Sequence, residues 1–414
     1  MMKLLAISSG FVQKTVTSDA NHVYELARRL QARSHQNIIV APHNTGLPRK
    51  EIIDGIQVER FIYFFPASYQ KVAYGYGIPY NLAHSLLAKV QIPLFFLSEL
   101  INSIRATRQN KVDAVYTHWL IPQGFAGAII QRVYKIPHVA IIHSSEVTLV
   151  KKIPFGRPIV RFSLANSSAV ISVSRHRFEE LMQFIAIDNP DQIRKKVHFI
   201  SMGVDLSEVL KKKRDTQQIR QKYQIQEGFT CLFVGRLVEV KGVEYLIDAF
   251  NTIKSRYPDS QLIIAGSGML EPELRQKVQA LDLSDNVLFT GKLPHTEILS
   301  LYQIADVILF PSIVDSSGFE EGLPMVVIES LASGRVVVAA STSGVREIIE
   351  HGVNGLLVDQ KNADQIANQV IRLIENPDIK KTIENNAQKS ALKYDWEHIT
   401  DRIEKVISGV IKKE

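Results

Sequence analysis

Short, wholly apolar runs alternate along most of this chain with segments whose apolar residues recur every three to four positions. In the second half, Cys231–Val234, Gln261–Ala265, Val287–Thr290, Val307–Phe310 and Arg335–Ala340 predict strands. Between them Val243, Leu246, Ile247, Phe250 and Ile253, and further on Ile298, Leu301 and Tyr302, fall at helical spacing. Strands that are apolar on both faces leave no side for water, which implies a parallel sheet with helices on each face. The first half repeats the rhythm with Lys3–Ser8, Asn37–Ala41, Ala114–Thr117, His138–Ile142 and Ala169–Val173. The chain therefore reads as α/β, built from two doubly wound, Rossmann-like domains. Met202-Gly203-Val204-Asp205 and the basic Lys211–Arg214 read as a linker. This divides the chain into residues 1–205, residues 206–390 and a C-terminal amphipathic segment, residues 391–414.

Phe61 to Ser103 breaks the rhythm. It concentrates Phe64, Phe65, Tyr69, Tyr74, Tyr76, Tyr80, Phe95 and Phe96, with Lys71 and Lys89 interspersed. Two readings fit it: an inserted surface of bulky side chains, or an extra buried helix pair. Its most apolar stretch, Ile92–Ile101, is interrupted by Ser98 and Glu99 and falls short of the roughly 20 apolar residues that span a bilayer. No membrane-spanning helix is expected. Met1–Ile7 is too short for the apolar core of a signal peptide and reads as a first strand.

A chain of 414 residues, 45% hydrophobic and 22% charged, is long enough for two globular domains. Its single cysteine, Cys231, allows neither an intramolecular disulfide nor a cysteine metal cluster, and fits a reducing, cytoplasmic setting. The net charge of +7 is uneven: residues 1–205 carry 24 Lys/Arg against 13 Asp/Glu, a balance of +11, whereas the rest is acidic. The basic half suits an anionic partner, such as a phosphorylated lipid, an anionic membrane surface, a phosphosugar or nucleic acid; a solvated basic face is the plainer alternative.

In doubly wound sheets ligands bind beyond the carboxyl ends of the strands, so the loops that follow strands carry the candidate chemistry. Gly235-Arg236-Leu237-Val238-Glu239-Val240-Lys241-Gly242 offers a glycine for close backbone approach and two cations five residues apart at a helix entrance. That combination suits a diphosphate. Gly266-Ser267-Gly268 closes a strand but lacks the third glycine of a dinucleotide fingerprint, which disfavours NAD or FAD. In Glu320-Glu321-Gly322-Leu323-Pro324, leading into a helix that carries Glu329, the backbone can hold sugar hydroxyls or phosphate and Glu321 can accept from hydroxyls. A carboxylate at the start of an apolar helix is costly unless paired or bound. His118 and His143 each end a predicted first-half strand.

These motifs, over nearly the whole chain, resemble family 4 of the retaining glycosyltransferases, whose GT-B fold sets two Rossmann-like domains across a cleft. The resemblance rests on Gly-Arg-Leu followed by Lys-Gly at 235–242, Gly266-Ser267-Gly268, the strand Val287–Gly291, Ala305-Asp306 before Phe310-Pro311-Ser312, and the two-glutamate motif. It implies that Arg236 and Lys241 bind a donor diphosphate and that Glu329 binds the ribose hydroxyls. It further implies that Glu321 with the backbone of Gly322, Leu323 and Pro324 grips the transferred sugar, and that Gly291 and Lys292 lie near the base. His118 sits in a segment similar to the family's His-Trp-x-x-Pro pattern. His143 sits in one similar to His-Gly-x-Asp, with Ser144 for glycine and Glu146 for aspartate. Gly10 takes the place of the family's phosphate-admitting glycine after the first strand, in Ser8-Ser9-Gly10-Phe11 where relatives often have a glycine pair. In this family the C-terminal segment, here Trp396–Lys413, crosses back onto the first domain.

The expected activity is transfer of a hexose-type sugar from a UDP- or GDP-linked donor to a glycan or lipid-linked acceptor, with His143, His118 and Glu321 as catalytic residues. No Asp-x-Asp motif and no metal-ligand spacing of His, Asp and Glu is present in the sequence, so no cofactor and no essential metal is expected. A sugar-nucleotide epimerase of the same fold and a non-catalytic nucleotide-sugar-binding protein are the alternatives. A nucleic-acid partner is not expected, because it leaves the donor motifs without a use. The basic half and Phe61–Ser103 suggest peripheral docking on an anionic membrane.

Overall fold

The computed structural model describes residues 1–12, 22–75, 77–151, 153–187, 189–211, 216–316 and 318–412; Tyr76, Lys212–Arg214 of the linker, and Lys413 lie outside the described residues. The chain forms two compact units, Met1–Gly203 with Glu397–Glu414, and Val204–Trp396.

The N-terminal unit is built on eight strands: β1 (Lys3–Ile7), β2 (Gln36–Pro42), β3 (Lys50–Ile53), β4 (Ile56–Phe61), β5 (Ala114–His118), β6 (His138–Ile142), β7 (Ala169–Ser172) and β8 (Val197–Phe199), in the spatial order β3-β4-β2-β1-β5-β6-β7-β8. Pairing is parallel except for β3 against β4, which is antiparallel. That departs from the wholly parallel sheet expected from the sequence. β3 and β4 lack a continuous apolar run: β4 alternates buried with half-buried residues before ending on two buried ones, and β3 alternates exposed with half-buried residues. One solvated face suits an antiparallel edge.

The C-terminal unit has β9 (Thr230–Val234), β10 (Gln261–Ala265), β11 (Val287–Gly291), β12 (Val307–Phe310), β13 (Val336–Ala340) and β14 (Leu356–Val358), all parallel, in the order β11-β10-β9-β12-β13-β14. β9, β12 and β13 are buried throughout, as continuous apolar runs dictate. In both sheets the order of connection reverses at the centre, between β1 and β5 and between β9 and β12. Loops leaving the carboxyl ends there diverge and open a crevice.

The first three helices are α1 (His22–Ala32), α2 (Ile78–His84) and α3 (Leu86–Asn110). α2 and α3 occupy the aromatic segment, so it is a helix pair, yet only one side of α3 packs on the core: Ala88, Phe95 and Ala106 are buried, with Ile92, Phe96, Leu100 and Ile104 flanking them. The continuous helix is longer than Ile92–Ile101, and by length and composition alone it is sufficient to cross a membrane. The C-terminal helix Trp396–Ile411 belongs to the N-terminal unit from Glu397 onward. Its Ile399, Ile403 and Ile407 are fully buried. Arg33 donates to Glu397 Oε2 at 2.8 Å and to Glu404 Oε2 at 2.9 Å, and Arg402 donates to the carbonyl of Phe199 at 2.8 Å.

Candidate functional site: paired charges and a histidine cluster

In the C-terminal unit, β9 leads through Gly235 and Arg236 into a single 3-10 turn, Glu239–Lys241, and then the helix Val243–Arg256. The turn points Lys241 inward. Only 6% of the residue is exposed, and its Nζ lies 2.6 Å from Glu321 Oε1, while Ser312 Oγ donates to Glu321 Oε2 at 3.0 Å. The loops that leave β9 and β12 are thus joined by an ion pair between residues 80 apart in sequence. Arg236 is exposed, and among the described residues its guanidinium has no hydrogen-bond or ion-pair partner. One cation is held at the base of the loop and a second is presented at its rim, an arrangement that suits an anion of two phosphates.

Gly266 and Gly268 have a steric purpose. A Cβ on Gly266 would lie 1.8 Å from the Gly235 carbonyl oxygen, and one on Gly268 would lie 2.2 Å from that of Leu237. Two hydrogen bonds hold the contact: the Leu237 N–H donates to the Ser267 carbonyl at 3.0 Å and the Leu270 N–H to the Leu237 carbonyl at 3.1 Å. The glycine turn is therefore the floor on which the Gly235–Leu237 backbone rests. Gly242, at φ +59°, does the same toward the other loop, because its Cβ would meet the Pro311 carbonyl oxygen at 2.1 Å.

The helix Met325–Ala332 has Pro324 as its N-cap. Proline carries no N–H, so the backbone donors near this helix start are Gly322, Leu323, Met325 and Val326. Gly344 lies so close to the Gly322 carbonyl that a Cβ would come within 1.6 Å, and Glu320 accepts from the Ser343 N–H at 2.8 Å and from its hydroxyl at 2.6 Å. Glu320, passed over in the sequence, thus fixes the loop that presents Glu321. Glu329 is held by His295 Nε2 at 3.2 Å and by the Tyr302 hydroxyl at 3.3 Å. Burial first, and then Glu329, push the Tyr302 phenol well above its usual range. Gly291 ends β11 at φ +71° and accepts from the Gly266 N–H at 3.0 Å, and the following Lys292 is exposed.

Gly10, His118 and His143 belong to the N-terminal unit. His118 ends β5, and His143 follows β6 as the N-cap of the helix Ser144–Val150. Their rings stack at 5.3 Å between centroids, with His118 Nδ1 3.1 Å from His143 Nε2. His22, at the start of α1, brings a third ring to 4.5 Å from that of His143. Burial depresses His22 to about 4; burial, and then the charge of His22, hold His118 and His143 well below their usual values. All three imidazoles are consequently neutral near pH 7, fit to exchange hydrogen bonds with hydroxyls. One potential ligand nitrogen from each lies within 4.8 Å of the others, close enough to hold a metal ion. The cluster is assembled by the fold from residues far apart in sequence, so no spacing along the chain announces it. Burial also raises the Glu146 carboxyl well above its usual range, an effect opposed by the amides of His143 and Leu120. A Cβ on Gly10 would make only an ordinary 3.8 Å contact with Tyr74, so packing does not itself demand glycine there.

Two doubly wound units, each with its connections reversing at the centre of the sheet, are the two Rossmann-like halves of the GT-B fold. The Anabaena protein HepE, solved in complex with UDP, matches with a TM-score of 0.74 over 99% of this chain and 100% of its own at 21% identity, a likeness of fold. Residues 20–208 match the family described as Glycosyltransferase Family 4, and residues 215–390 match glycosyl transferases group 1. An uncharacterized glycosyltransferase of Methanocaldococcus jannaschii is 29% identical over 406 residues, 96% of each chain. The N-acetyl-alpha-D-glucosaminyl L-malate synthase of Bacillus anthracis is 25% identical over 395 residues, 94% of this chain and 93% of that one. Together the two matches span most of the chain, the first half resembling glycosyltransferase family 4 and the second glycosyl transferases group 1.

Proposed function

We propose that this glycosyltransferase moves a hexose-type sugar from a UDP- or GDP-linked donor to a glycan or lipid-linked acceptor, with retention of configuration. The observation that carries the reading is the pair of buried Lys241 with half-buried Glu321 beside the exposed Arg236 at the β9/β12 reversal. A diphosphate takes Arg236 and Lys241 as counterions. Once Lys241 turns to phosphate, Glu321 is released to accept from the hydroxyls of the sugar, with the amides of Gly322, Leu323, Met325 and Val326 beside it. Glu329 takes the ribose hydroxyls, and Lys292 stands toward the base. The UDP complex of HepE supports a uridine nucleotide among the candidates.

In the reaction the bond from the anomeric carbon to the diphosphate oxygen breaks, and a bond to the acceptor oxygen forms on the same face. The acceptor's proton passes to the leaving oxygen. Arg236 and Lys241 stabilise the charge developing there, an effect commonly worth about 10²- to 10³-fold per group. His118 and His143, held neutral, bind hydroxyls and do not store a proton. No essential metal takes part, because the two cations neutralise the diphosphate; activity abolished by a chelator and restored by magnesium contradicts this. A cytoplasmic enzyme working at the inner membrane face, on envelope polysaccharide or glycolipid, accords with the buried Cys231 thiol and the basic N-terminal half.

The test is product analysis by proton NMR with a matched donor and acceptor: an α-linked donor giving an α-linked product supports retention, and a β-linked product overturns it. An epimerase would instead change the donor's sugar without any acceptor. A binding protein would shift its stability with donor but turn nothing over.

A further inference from the structure

α3 carries polar side chains on its buried side and a run of apolar ones outward. Gln91, Glu99, Ser103 and Thr107 recur at multiples of four and share its buried face. Gln91 Oε1 accepts from the Lys71 N–H at 2.9 Å, its Nε2 donates to the Tyr69 carbonyl at 2.8 Å, and Gln123 Nε2 donates to Glu99 Oε2 at 2.8 Å. The outward face carries Leu86, Val90, Leu94, Leu97 and Ile101, between 45% and 76% exposed. A helix that meets water on its outer side has the opposite arrangement. Exposed Phe65, Tyr69 and Tyr80 precede the helix, and the Tyr69–Lys71 backbone is bonded to it through Gln91. An apolar face of this extent marks a contact surface.

Charge identifies what it contacts. Between residues 62 and 111 the cations Lys71, Lys89, Arg105, Arg108 and Lys111 are exposed, while the only acidic residue of that stretch, Glu99, is buried. A second copy of this chain laid on the same face would set cations against cations. A bilayer with anionic headgroups satisfies both features at once, taking the apolar stripe among its acyl chains and the cations at its phosphates. The hydrogen bonds of the polar face to the rest of the unit exclude a spanning pose, although α3 has the length for one.

We propose that the outward face of α3 is a membrane-docking surface, on which Leu86, Val90, Leu94, Leu97 and Ile101 enter the headgroup boundary of an anionic bilayer in the plane of the membrane. This deepens, and rests on, the reading of a membrane-borne acceptor.

The chain's only cysteine is fully buried, so a polarity-sensitive fluorophore can be placed by Leu97→Cys on the stripe and by Lys254→Cys on the C-terminal unit as a control. With phosphatidylglycerol-containing vesicles at low salt, the probe at position 97 is expected to shift to the blue and the probe at 254 to stay unchanged. Leu94→Ser with Ile101→Ser should lower vesicle partitioning by at least about tenfold while leaving the thermal shift produced by a donor nucleotide intact, which shows that the variant is folded. Vesicle binding with no response at position 97 overturns the role of α3 and leaves the membrane-borne acceptor standing. A concentration-dependent shift without vesicles, matched by dimer in ultracentrifugation, assigns the face to a second copy and overturns the proposal. Absence of vesicle binding by a chain that still responds to donor overturns membrane docking and leaves the transferase reading in place.

Discussion

Lys241 and His143 are both more than nine-tenths buried beyond the carboxyl ends of parallel strands, yet their surroundings are opposite. Lys241 is met by a carboxylate 2.6 Å away, and His143 by another imidazole at 3.1 Å. Breaking a buried pair by removing one partner is expensive because it strands the other charge, so an incoming diphosphate that replaces Glu321 as counterion meets a site already charged for it. The histidine cluster is discharged by its own burial and offers nothing to a phosphate. The contrast is the ground for the proposal that the anionic part of a donor goes to the loops of the C-terminal unit and uncharged hydroxyls to the cluster of the N-terminal unit.

The sharpest way to break this contrast is to remove the buried cation. Lys241→Ala should lower turnover by about 10²- to 10³-fold and leave Glu321 without its partner; unaltered turnover in steady-state kinetics would end the role given to Lys241. The histidine side is probed by pH. His22 has a folded value of about 4, below the ordinary 6.5, so the unfolded chain takes up its proton first. The contribution of His22 to stability is therefore flat above pH 6.5 and falls as pH drops from 6.5 toward 4, by up to about 1.4 kcal/mol per unit. His22→Asn should remove one proton's share of that slope in thermal melts, with His118 and His143 keeping theirs, and a profile identical to the parent's would contradict the lowered value of His22. Gly268→Ala forces a Cβ against the Leu237 backbone and should destabilise the C-terminal unit by about 1–3 kcal/mol while weakening donor binding. A variant as stable as the parent would mean that the loop does not rest on the glycine turn. The smallest effect belongs to Glu329→Gln, expected to raise the donor KM about tenfold by weakening bonds to the ribose; equal loss with a donor lacking the ribose 2′-hydroxyl and with the intact donor would argue against that contact.

The parts legible in the sequence were those with a short-range signature. Runs such as Cys231–Val234 and Val307–Phe310, short and bounded by turn residues, read as strands buried on both faces, and a glycine followed by two cations beyond such a strand points to phosphate. Long-range pairings left no such trace. Lys241 and Glu321 were each identified, but nothing in their spacing says that they bond to one another. His22 opens a helix and belongs to no motif, so its approach to His143 emerges only when α1 packs on the sheet. Edge strands β3 and β14 are short, and β3 alternates exposed with half-buried residues. In α3 apolar residues occur on every side, which hides the fact that its polar positions are inside; the spacing of Gln91, Glu99, Ser103 and Thr107 was the available signal.

The most direct test of the account is differential scanning fluorimetry of the full chain with a panel of UDP-, GDP- and ADP-sugars. A donor at 100 times its dissociation constant adds about 2.7 kcal/mol of stability, an easily read shift. The account predicts a rise in melting temperature with a donor of one base, and loss of that rise in the Arg236→Ala, Lys241→Ala double variant. No rise with any donor, or a rise undiminished in the double variant, would contradict the assignment of these loops to a nucleotide-sugar.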